Sequence, residues 1–176
     1  MIKMEKTKLS SKIRVVSNQK KAENCSEKHL SFYTNYAATV SETLKKPLFQ
    51  NFLKWLINRE QIEKKDVKDI QVRVFPFQKQ NGRSLAGRCN SEGVIRIFPK
   101  RRMFLKKLND HKKEKVHVYV KSRAMAALIH EILHLKYEGN ENKVRRLTKK
   151  YFSIFIRRQN PSPHKVHSIQ RMLFTV

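Results

Sequence analysis

His130, Glu131 and His134 form an H-E-x-x-H set inside the stretch Ala127-Leu128-Ile129-His130-Glu131-Ile132-Leu133-His134-Leu135. On a helix, at about 100° per residue, the two histidines stand one turn apart on the same face, so their imidazoles can converge on one metal ion. Glu131 lies beside them, rotated off that axis. There a carboxylate can take a proton from a water whose pKa zinc has lowered to about 7. The chemistry this spacing points to is zinc-dependent hydrolysis, with His130 and His134 as ligands and Glu131 as catalytic base.

A zinc site of this kind needs a third protein ligand and one open position. The candidate is Glu141, with Asn140 the weaker one because a carboxamide is a poor zinc ligand. A continuous helix would carry Glu141 roughly 10 Å beyond His134, too far to share an ion bonded at about 2 Å, so the helix has to break between them. Gly139 is placed to break it by taking a left-handed conformation, and Asn140 to cap a new helix whose first turn holds Glu141.

The flanking Ala126, Ala127, Leu128, Ile132, Leu133 and Leu135 make the motif helix largely apolar, as burial against a sheet requires. Upstream, Leu48, Phe49, Phe52, Trp55 and Leu56 recur at helical spacing and predict a helix with Pro47 near its first turn, Trp55 belonging to the core. Ile70, Val72 and Val74 alternate with polar residues as in a half-buried strand, and Gln80-Asn81-Gly82 turns the chain. Residues 86–89 and 94–98 read as a hairpin across Asn90-Ser91-Glu92-Gly93, ended by Pro99. Val116, Val118 and Val120 alternate with His117 and Tyr119, which predicts one more strand, with Ser122 capping the motif helix. Val144, Leu147, Tyr151, Ile154 and Phe155 space out a last helix. Strands followed by helices, on short connections, predict an α+β fold: a small antiparallel or mixed sheet of three or four strands, covered by helices centred near Leu53, His130 and Leu147.

From Val72 to Phe152 the chain resembles the SprT-like and YgjP-like zinc metallopeptidases. The resemblance is carried by Leu85-Ala86-Gly87-Arg88-Cys89, Gly93-Val94-Ile95-Arg96-Ile97, His130-Glu131-Ile132-Leu133-His134-Leu135-Lys136-Tyr137 and Lys149-Lys150-Tyr151. It implies a zincin-like arrangement of strands before the motif helix, ligands at His130 and His134, and a base at Glu131. The YgjP-like pattern has a third histidine where this chain has Asn140, so either Glu141 takes its place or metal affinity is impaired.

Lys and Arg total 40 against 14 Asp and Glu, a net charge of +26 over 176 residues, which points to polyanionic partners. RNA, as in the ribosome, is favoured over DNA. Phosphate contact is expected from the basic connection Lys100, Arg101, Arg102, Lys106, Lys107, Lys112 and Lys113, and from Arg145, Arg146, Lys149, Lys150, Arg157 and Arg158 after the motif. Residues 1–30 read as a basic flexible arm, 31–158 as the SprT-like metallopeptidase-like domain, and 159–176, with Pro161 and Pro163, as a basic extended tail in which His164 and His167 are surface residues. Two distant cysteines, Cys25 and Cys89, argue against a disulfide framework and fit a cytoplasmic setting, and neither a signal peptide nor a membrane span is expected. Two functions follow. One is a zinc-dependent peptidase working on or attached to nucleic acid or ribonucleoprotein, with a protein substrate. The other is a structural RNA-binding protein of the ribosome whose peptidase-like fold carries incidental or lost catalysis.

Overall fold

Alternating side chains in four short segments build a mixed sheet. The computed structural model describes residues 8–16, 26–74, 79–80, 83–109, 113–159 and 162–174. Strands β1 (Ile13–Val16), β2 (Asp69–Arg73), β5 (Gly87–Cys89) and β6 (Val94–Ile97) lie in the order β1-β2-β6-β5, while β3 (Lys79–Gln80) and β4 (Arg83–Ser84) form a separate two-stranded ladder. The pairs β1·β2 and β2·β6 are parallel and β5·β6 is antiparallel. Cross-strand partners share a face, so Ile13, Ile70 and Ile95 form one apolar rung, and Val72 and Ile97 part of the next. That face is covered by helices α1 (Glu27–Lys45) and α4 (Lys113–Tyr137). Helices α2 (Pro47–Arg59), α5 (Glu141–Gln159) and α6 (Pro163–Phe174) pack further out, and the short α3 (Arg102–Asn109) lies against α4. The expected α+β architecture with a small mixed sheet is therefore present.

The centre of the molecule is α4. Leu128, Ile129, Ile132 and Leu133 are fully buried in it, each contributing about 1.5–3 kcal/mol of burial. Residues 116–120, expected as a strand, are part of this helix, and Ser122 is a buried interior position rather than a cap. A five-residue alternation is too short to separate the two periods. Val120, Ala124 and Ala127 continue one buried stripe at helical spacing, and neighbours on several sides make a helix with little amphipathic character stable.

Both termini differ from expectation. Ile13–Val16, placed in a flexible arm, pairs with β2 as an edge strand, and Arg14 forms a two-point ion pair with Asp69. Residues 1–7 and 17–25 of that arm lie outside the described residues. The tail expected to be extended carries α6, whose Val166 and Ile169 are buried. Pro163 is its first residue, where a missing N–H costs nothing, and the Val166 N–H donates to the Ser162 carbonyl. Helix α1, with Tyr33, Tyr36, Ala37, Val40 and Leu44 buried, was not anticipated. The Gln80-Asn81-Gly82 turn lies partly outside the described residues. Among the described residues no helix is long and apolar enough to cross a membrane.

The hairpin over residues 86–98 is as expected. Its turn needs Gly93, which has φ 77° and whose position leaves a Cβ only 1.9 Å from the Asp66 carbonyl oxygen. Arg123, buried in α4, ties both ends of this hairpin to the helix: its guanidinium donates to the carbonyls of Phe98 (2.7 Å) and Leu85 (3.0 Å) and to the Tyr36 hydroxyl (3.3 Å). Arg123→Met is expected to destabilise the protein by about 2–3 kcal/mol by orphaning these acceptors, read as a lowered urea midpoint. An unchanged midpoint would show that the hairpin is held by other contacts.

Candidate metal centre

Helix α4 ends at Tyr137 and α5 begins at Glu141, so the chain breaks where the distance argument requires. The left-handed residue is Glu138 (φ 24°), not Gly139, which corrects the expected break. Asn140 caps α5 as anticipated, its Oδ1 accepting from the Lys143 N–H at 3.1 Å. A clamp fixes the junction. The Glu60 carboxylate, buried at the end of α2, accepts from the hydroxyls of Tyr137 (2.5 Å) and Tyr151, and its backbone carbonyl accepts from Lys136. Desolvation would raise the Glu60 pKa, but the two hydroxyls and the nearby Lys136 and Arg59 hold it below the usual range, and its hydrogen bond pushes Tyr137 up to about 12.

Across this break Glu141 meets the histidine pair. His134 Nε2 lies 3.1 Å from His130 Nε2 and 3.1 Å from Glu141 Oε2, and His130 Nε2 lies 3.6 Å from Glu141 Oε1. Ligand atoms bound at about 2.0–2.1 Å in a tetrahedron stand about 3.3 Å apart, so these separations, to different oxygens of Glu141, are of the size that one shared metal ion requires. The three residues are the set among the described residues that could hold a metal ion. Asn140 caps the helix instead.

Hydrogen bonds behind the ligands fix which histidine nitrogens are free. The Thr148 hydroxyl donates to the Val144 carbonyl at 2.8 Å, so toward His130 Nδ1, at 3.3 Å, it can only accept. The Glu138 carbonyl, 2.7 Å from His134 Nδ1, can likewise only accept. Nδ1 is therefore the protonated nitrogen of each ring, and in the neutral rings Nε2 is the lone-pair nitrogen, turned toward the other ring and toward a carboxylate. With both rings neutral, three acceptors face one point. A proton would satisfy one pair, whereas a divalent cation satisfies all three. Burial pushes His130 down to about 4, keeping its ring neutral, as a ligand must be. Burial would raise Glu141, but the Arg145 hydrogen bond and the two histidines hold it low.

Glu131 is buried beside this group. Its Oε2 accepts from the Cys89 N–H at 2.8 Å, and its side chain lies where a Cβ on Gly87 would stand 2.9 Å from Cγ, so only glycine fits there without a shift. Burial pushes the Glu131 carboxyl up to about 7, where a group can both take and return a proton. Burial, then the Glu131 charge, pushes the Cys89 thiol up to about 11, which makes it a poor nucleophile. His130, Glu131, His134 and Glu141 line an open cleft of about 1430 Å³ together with β5 and the hairpin turn, larger than pockets built for small ligands. The hydrogen bonds Phe98 N–H to Ala86 carbonyl and Asn90 N–H to Val94 carbonyl turn residues 86, 88 and 90 toward β6. The backbone groups of Gly87 and Cys89 consequently face the free edge, on the cleft side.

The basic residues expected to meet phosphates are dispersed. Arg145 pairs with Glu141, its Nε 2.6 Å from Glu141 Oε1. Arg146, Lys149, Lys150, Arg157 and Arg158 are exposed along α5, with Arg158 also 5.2 Å from the centre of the half-buried Trp55 ring. Lys100 sits over Phe104, Arg102 near Phe32, and Arg101 and Lys106 are exposed. The side chains of Lys107, Lys112 and Lys113 lie outside the described residues. His164 and His167 are exposed on α6, away from any metal group. Sequence reasoning missed Thr148 and Glu138, whose roles depend on a helix break and on contacts between helices.

Thr148→Val is expected to weaken zinc binding about 10–100-fold, the usual cost of losing a group that orients a ligand, as measured by competition with a chromophoric chelator. Undiminished affinity would show that His130 needs no such support. Set against protein-family models, curated proteins and solved structures, the chain matches none, and the case for this centre rests on its own geometry.

Proposed function

We propose that the chain is a zinc-dependent metallopeptidase of the SprT-like kind, working on or attached to nucleic acid or ribonucleoprotein. The observation that carries this reading is the convergence of His130 Nε2, His134 Nε2 and the Glu141 carboxylate on one point, beside a buried glutamate. Zinc bound there would supply an electrophile that polarises a carbonyl and acidifies a water. His130, His134 and Glu141 would hold it. Glu131 would take a proton on Oε1, since Oε2 is engaged by the Cys89 N–H, and return it to the leaving amine. An extended peptide would pair with the outward groups of β5 that Glu131 leaves free, the Gly87 N–H and the Gly87 and Cys89 carbonyls, as a strand added to the edge. The cleft suits a chain better than a small molecule.

The net charge of +26 favours a second reading, a ribosomal RNA-binding protein with incidental or lost catalysis. One substitution separates the two. Glu131→Gln is expected to abolish hydrolysis of an unfolded protein substrate while leaving zinc content and RNA binding unchanged. Wild-type protein with one zinc per chain and no hydrolysis would favour the second reading, and a Glu131→Gln variant that still cleaves would remove Glu131 as the base.

A further inference from the structure

Among the described residues, α1 and α4 pack on one of the sheet's two faces. Arg14, Gln71, Arg96 and Arg88 are successive cross-strand partners, so their side chains share the face opposite the Ile13, Ile70 and Ile95 rung that packs on α1 and α4. Arg73, two residues beyond Gln71 on β2, lies on this face too. Every cation within these four strands is an arginine, although the chain has 26 lysines against 14 arginines. Asp69 is the sole acid in the four strands, and Arg14 and Gln71 already engage it. Among the described residues Arg73, Arg88 and Arg96 make no contact ion pair, although the Arg88 charge acts on Glu131, and the Nε–H groups of Arg73 and Arg96 are buried without an acceptor.

This arrangement is unfavourable for the chain alone. Arg88 and Arg96 stand directly opposite each other on neighbouring strands, and like charges so placed are destabilising. An anion lying across the face would relieve that repulsion. Guanidinium forks on strands about 4.8 Å apart present a row of bidentate donors, which suits phosphate oxygens better than the point charge of lysine would.

We propose that this arginine face binds the phosphodiester backbone of a nucleic-acid strand without reading its bases. The strands carry no aromatic residue to stack on a base, so phosphates supply the contacts. The proposal gives the nucleic-acid part of the preceding reading a surface that sequence inspection did not identify; Arg88 also borders the metal cleft, whereas Arg73 and Arg96 are not among its lining residues.

The test is fluorescence anisotropy with a labelled single-stranded uridine homopolymer, over a salt series, on the full chain. Arg73→Gln/Arg88→Gln/Arg96→Gln is expected to lower affinity at least tenfold at moderate salt. It should also flatten the plot of log affinity against log salt by about 2, since each lost contact to a single strand contributes about 0.7. Lys149→Gln/Lys150→Gln/Arg157→Gln removes the same charge from α5 and should cost less on both measures. An equal or larger loss in the α5 variant would overturn the proposal while leaving general nucleic-acid binding in place. Poly-glutamate binding as tightly as RNA would overturn it in favour of an acidic polypeptide. Should the triple sheet variant not fold, Arg88→Gln alone, at an exposed edge position, should flatten the slope by about 0.7; an unchanged slope would overturn the proposal.

Discussion

The structure depends on an electrostatic conflict: two imidazole lone pairs and a carboxylate held toward one point. Nothing among the described residues places a donor between His130 Nε2, His134 Nε2 and Glu141 Oε2. Such an arrangement persists only if each group is fixed from behind, and the fold does this from three directions. Thr148 on α5 orients His130, the left-handed Glu138 turns its carbonyl onto His134, and Arg145 holds Glu141. Glu60 then locks the two helices whose junction makes the geometry possible. Each contact is ordinary in energy, about 1 kcal/mol net for a neutral hydrogen bond. Together they pre-organise a group of three side chains that could hold a metal ion.

The same break in the helix links metal geometry to the cleft. Because α4 stops at Tyr137, α5 can fold back along it, and Glu141 arrives on the side where β5 presents its free edge. Gly87 allows Glu131 to press against that edge, and Cys89 holds one carboxylate oxygen through its backbone N–H. Ligands, base and a strand edge thus lie within one concavity, built by a helix and a hairpin that Arg123 ties together.

How much of this was legible in the sequence follows from which interactions are local. The convergence of His130, His134 and Glu141 could be read because it depends on helical pitch and on one distance constraint. The hairpin could be read because Asn90 to Gly93 is a turn in itself. By contrast, Val116 to Val120 alternates as a strand would, and only burial on several sides makes it helix. Pro163 was read as a marker of extended chain, although Ser162-Pro163 is also a helix start. Edge strand β1 is four residues long, and its identity comes from pairing with β2, some 55 positions away. The arginine face was invisible for the same reason: Arg14, Arg73, Arg88 and Arg96 are scattered in sequence and meet only through strand register.

The claim on which the account rests is the protonation pattern of the two histidines, and nitrogen NMR of the imidazole side chains reads it directly. Spectra of the full chain should show Nδ1–H tautomers for His130 and His134 before zinc is added. One equivalent of zinc should then shift both Nε2 resonances while both Nδ1 protons stay in place. Coordination through Nδ1, or two ring spectra indifferent to zinc, would contradict it.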